Sequence, residues 1–141
     1  MSNELLLQPI RREVDVYIAV SRGRELARLV GFDEIDRTRI EIAILELTRN
    51  ILVHAGSGQL ALREVEQNSR HGVEVEASDT GPGIEDIELA LRDGYSTAHT
   101  LGAGLPGVKR LMDEMVVESV VGVGTTVRAV RWLPTKQRGR R

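Results

Sequence analysis

The stretch Ile40-Glu-Ile-Ala-Ile44-Leu-Glu46-Leu47-Thr-Arg-Asn50-Ile51-Leu-Val-His54 carries both the packing signal and the first chemical signal of the chain. Ile40, Ile44, Leu47 and Ile51 recur at helical spacing and form a face that packs on a sheet. Glu46, Asn50 and His54 are four residues apart, so they lie along a second strip, each turned by about 40° from the last. The helix is predicted from about Asp33 to His54, and Gly56-Ser57-Gly58 stops it. N-terminal to it, Val14, Val16, Ile18 and Val20 alternate, which predicts a half-buried strand over Glu13 to Val20. Ser21 is the expected cap of a helix reaching Val30, with Gly31 as its end.

On the other side, strands are predicted over about Gln59–Val65 and Val73–Ser78, joined by the turn residues Asn68 to Gly72. A short helix is expected between Asp86 and Arg92. Pro106 suits the first turn of another that continues to about Met112. Two last strands, Met115–Val121 and Thr125–Trp132, meet through Gly122-Val-Gly124. The economical packing is a two-layer α/β sandwich: a mixed β-sheet with helices packed on one face. The 141 residues suit one domain with a core over about 11–133 and a basic tail over 134–141.

Composition closes several routes. Aromatic residues make up 3%, so aliphatic side chains must fill the core. The net charge of −2 argues against a nucleic-acid binder acting through bulk electrostatics. No cysteine is present, which excludes disulfides, thiol catalysis and Cys-ligated metal. No signal peptide or membrane-length apolar run is seen, so a cytoplasmic location is expected. Of 19 basic residues only Lys109 and Lys136 are lysines, and no P-loop string exists.

Three segments hold the chemistry. Glu46 offers a carboxylate base, and Asn50 a neutral amide oxygen of the kind Mg²⁺ accepts. Asp79 ends a strand before Thr80-Gly81-Pro82-Gly83. An ionised carboxylate only accepts hydrogen bonds, so it suits the exocyclic amine of adenine and opposes the carbonyl of guanine. Gly81 and Gly83 allow a ligand ring to approach closely. Leu101-Gly102-Ala103-Gly104-Leu105-Pro106-Gly107 opens a helix whose backbone N–H groups can hold phosphate without a lysine. Lys109 and Arg110 could add positive field there, and Thr125 a hydroxyl. Taken singly, these segments also read as a helix edge facing water, a tight turn and a helix entrance, and His54 reads as a packing or hydrogen-bonding residue. Their order together points to ATP.

That order resembles the GHKL ATPase superfamily of histidine kinases, type II topoisomerases, heat-shock chaperones and mismatch-repair proteins, whose domain is the Bergerat-type ATP-binding fold. Asp79-Thr-Gly-Pro-Gly-Ile84 and Leu101-Gly-Ala-Gly-Leu-Pro-Gly-Val-Lys-Arg-Leu-Met-Asp-Glu114 are most similar to bacterial anti-sigma-factor serine/threonine kinases of the stressosome-switch type. The resemblance runs from about Arg11 to Leu133. It implies Glu46 as the base, Asn50 as the Mg²⁺ ligand and Asp79 as the adenine reader. It also implies Gly81, Gly83, Gly102, Gly104 and Gly107 as pocket glycines, Thr125 near the adenine, and an ATP lid over Ile87 to Thr100. The lid has no lysine, and no phosphoacceptor-histidine helix pair is present. The implied substrates are STAS-domain scaffold and antagonist proteins of a stress-signalling complex, with a PP2C-type phosphatase as a second partner. An anti-sigma factor that binds sigma directly and a nucleotide-regulated binding module are the alternatives.

Overall fold

A computed structural model describes residues 5–92 and 104–134. The elements run β1 (Leu5–Ile10), α1 (Glu13–Val30), α2 (Glu34–Ala55), β2 (Gly58–Gln67), β3 (Arg70–Asp79), α3 (Ile87–Ala90), α4 (Gly104–Leu111), β4 (Glu114–Val120) and β5 (Gly124–Trp132). The strands form one sheet in the order β1-β2-β3-β5-β4. Every pairing is antiparallel, so the expected mixed sheet is corrected in that detail while the two-layer α/β arrangement holds. Each neighbouring pair is a hairpin or a return through the helical layer, and neither needs a parallel crossover.

The segment Glu13 to Val20 is helical, against the strand expected there, and Ser21 lies inside the helix. The buried residues of α1 are Val16, Ala19, Gly23 and Ala27, a spacing of three and four. Val14 and Ile18, which alternation would bury with Val16, are 48% and 40% exposed. Close packing decides the matter: a Cβ on Gly23 would lie 2.1 Å from Ile44 Cδ1, so the small residues of α1 let it settle directly on α2. The first strand is instead Leu5–Ile10, which alternation did not reveal. Pro9 is tolerated there because β1 is an edge strand.

Other expectations stand with small shifts of boundary. Asp33 caps α2 by accepting the Asp36 N–H at 2.9 Å. Ile40, Ile44, Leu47 and Ile51 are buried against the sheet with Leu60, Leu62, Val73, Val75, Val127 and Ala129. The β2–β3 turn is tighter than expected: Asn68 and Ser69 alone turn the chain, both at positive φ. The opposite sheet face carries charge, with Arg63 bridging to Glu74 and Arg128 lying 3.5 Å from the same carboxylate. Arg131 crosses to the helical layer and meets the buried Asp36 at 2.8 Å. No helix among the described residues is long and apolar enough to cross a membrane.

Candidate nucleotide site

The second half of α2 runs past the ends of β3 and β5. The loop after β3 and the start of α4 complete a cavity of about 380 Å³ there. Leu47, Ile51, Ala77, Ile84 and Val127 give it an apolar floor, which suits a flat ring. Asn50, Asp79, Gly83, Gly104, Leu105 and Thr125 bring polar groups and backbone to its walls. Six of the sequence candidates thus meet in one place although they come from four separate segments.

Glu46 lies one turn before Asn50 and is 1% exposed. Its Oε1 accepts the Gly104 N–H at 3.3 Å, tying the helix carboxylate to the first residue of α4. Asp79 is directed by its own loop, since Oδ1 accepts the Gly81 N–H at 2.8 Å. Gly83 has φ +82°, and a Cβ there would lie 2.5 Å from the Val120 carbonyl oxygen, so the turn is closed to larger residues. Gly81 and Gly107 do not line the cavity; Gly107 is buried inside α4. Gly102 and Ala103 lie outside the described residues, as does residue 93 onward of the expected lid. The described part of that segment holds α3, capped by Asp86, with Leu89 and Ala90 facing the cavity. Lys109 and Arg110 sit in the last turn of α4, exposed, rather than at its start. His54 is exposed and lines the cavity, so it is no packing residue.

One contributor was not signalled by the sequence. Ser119 on β4 accepts the Ile84 N–H at 2.7 Å and lies 2.8 Å from Thr125 Oγ1. A serine in an edge strand has no distinctive spacing; only the pairing of β4 with β5 reveals it. Among the described residues no three His, Cys, Asp or Glu side chains cluster as a metal site. A lone amide oxygen such as that of Asn50 fits an ion that takes most of its ligands from phosphate and water, as Mg²⁺ does.

Comparison with known proteins places the whole chain rather than single residues. The profile of the histidine kinase-like ATPase domain matches residues 12–131. The chain is 48% identical over 124 residues to the serine/threonine-protein kinase RsbT of Bacillus subtilis, covering 88% of this chain and 93% of that protein. It is 31% identical over 98 residues to an anti-sigma F factor of Thermoanaerobacter sp., covering 67% and 68%. In fold it matches the crystal structure of the RsbU and RsbW domains of Rv1364c from Mycobacterium tuberculosis with a TM-score of 0.64 at 17% identity, over 94% of this chain and 34% of that one. A five-stranded antiparallel sheet under helices and a matching profile over most of its length together make this chain a member of the histidine kinase-like ATPase domain family.

Proposed function

We propose that the chain is an ATP- and Mg²⁺-dependent protein serine/threonine kinase. The observation that carries this reading is the convergence of Asn50, Asp79, Thr125 and Gly104 on one cavity, with Glu46 hydrogen-bonded to the Gly104 N–H beside it. Asp79 accepts the adenine amine, and the apolar floor receives the ring. Backbone N–H groups around Gly102 to Gly107 hold the phosphates. Asn50 would offer its amide oxygen to a bound Mg²⁺, and the ion would supply charge neutralisation to the phosphates. Glu46 takes the proton of the substrate hydroxyl. The hydroxyl oxygen bonds to the γ-phosphorus, the bond from that phosphorus to the bridging oxygen breaks, and ADP departs with the electron pair. Such transfer needs mostly positioning and electrostatics.

The similarity to a serine/threonine-protein kinase supports transfer to a protein hydroxyl, and the family resemblance of the Asp79–Ile84 and Leu101–Glu114 strings suggests STAS-domain scaffold and antagonist proteins as substrates, followed by partner exchange with a PP2C-type phosphatase. Such partners imply a cytoplasmic location. The test is incubation with labelled ATP and candidate STAS proteins, with mass spectrometry to locate the modified hydroxyl. Labelled product is expected; its absence with every STAS substrate, despite ATP binding, refutes the assignment. The anti-sigma F factor relatives favour a second reading, a kinase that also binds a sigma factor directly. Pull-down of sigma factor rather than phosphatase would select it.

A further inference from the structure

Asp79, Thr125 and Ser119 form a row across three adjacent strands. Thr125 pairs with Asp79 on β3 and with Ser119 on β4, so the three side chains share one sheet face. Asp79 and Thr125 line the cavity, and Ser119 stands behind Thr125. We propose that Ser119 is a positioning residue of the purine site, turning the Thr125 hydroxyl proton toward a ring nitrogen beside the amine that Asp79 reads. This rests on Asp79 being the adenine-reading carboxylate.

The argument is a count of protons. A serine hydroxyl has one hydrogen and two lone pairs. The Ile84 N–H, at 2.7 Å, occupies one lone pair of Ser119. The Ser119 proton then has two destinations: Thr125 Oγ1 at 2.8 Å or the Gly124 carbonyl at 3.2 Å. Given to Thr125, it leaves the Thr125 proton available to the cavity. Given to Gly124, it leaves Thr125 to donate back to Ser119 and to present only a lone pair. Adenine flanks its amine with two acceptor nitrogens, N1 next to the amine-bearing carbon and N7 across the neighbouring ring carbon, so it complements the first arrangement. The shorter contact is also the one that produces it. Ser119 couples this choice to the shape of the site, because the same oxygen anchors Ile84, which lies on the cavity floor.

Calorimetry of Mg·ATP, Mg·1-deaza-ATP and Mg·7-deaza-ATP against the wild-type chain, S119A and S119T tests the relay. S119A is expected to weaken ATP about tenfold, the equivalent of one hydrogen bond. The analogue lacking the contacted nitrogen should bind the wild type more weakly and lose less than about twofold further in S119A. S119T, which keeps the hydroxyl, should restore ATP affinity. Thr125→Val leaves the Ser119–Ile84 bond in place and should show the same analogue selectivity as S119A, which keeps the test intact should S119A not fold. An equal loss for ATP and both analogues, or no loss at all, overturns the relay while leaving ATP binding standing. Failure of the wild-type chain to bind Mg·ATP overturns both readings.

Discussion

At the scale of single residues, the site is a division of labour between a helix and a strand end. Glu46→Ala should retain ATP binding and lose phosphoryl transfer by about a hundredfold or more, as expected for a general base. Single-turnover transfer measured beside equilibrium binding separates the two, and transfer at the wild-type rate would remove Glu46 from the role. Asp79→Asn should weaken ATP about tenfold or more, because an amide presents a donor where the adenine amine also donates. Unchanged affinity by calorimetry would count against the adenine assignment. Most of these residues were readable in the sequence because each stands in a segment with its own signature: helical spacing for Glu46 and Asn50, Asp-x-Gly-x-Gly for Asp79. Ser119 was not. A serine in a strand has an ordinary explanation, and only the pairing of β4 with β5 places it behind Thr125.

At the scale of elements, local rules and tertiary packing competed, and α1 shows which won. Four β-branched residues in alternation are a strong strand signal, yet the small residues Ala19, Gly23 and Ala27 recur at helical spacing and fit the ridge of α2. Burial of that seam outweighs the weak intrinsic preference of valine for strands. The start of α1 gives a pH test. The backbone N–H groups of Arg11 and Arg12 hold the Asp15 carboxyl below the usual aspartate range. Its folded value is depressed, so the contribution is present above the ordinary aspartate pKa and is lost as pH falls through the folded value. Asp15→Asn should therefore narrow the gap in melting temperature from the wild type as acid is added, and a pH-independent gap would contradict the capping role. For α2, Asp33→Ala should cost about 1 kcal/mol in urea unfolding through loss of the bond to the Asp36 N–H. The helix ends were legible because Asp33, Gly31 and Gly56 are local signals, whereas β1 is defined by its partner β2 and carries no pattern of its own.

At the scale of the whole molecule, the sheet and the helical layer are joined by more than apolar contact. Arg131 of β5 reaches the buried Asp36 of α2 and the Asp113 carboxylate that also accepts the Trp132 N–H. Asp36→Ala should destabilise by about 3 kcal/mol, because it leaves a largely buried guanidinium short of its nearest counter-charge. Urea unfolding of the single variant and of Asp36→Leu with Arg131→Met distinguishes charge from packing, since the apolar pair should recover much of the loss. Nothing in the sequence links positions 36 and 131; the packing of α2 on the sheet brings them together.

The bond from the Gly104 amide to Glu46 has one more consequence. A carboxyl oxygen already occupies that amide, so a phosphate seeking the Gly104 N–H would compete with Glu46 for it, and nucleotide entry becomes an exchange of acceptors rather than a simple addition. A phosphate oxygen that took the Gly104 N–H would remove that one bond from Glu46, making the orientation of the proton acceptor depend on a filled pocket.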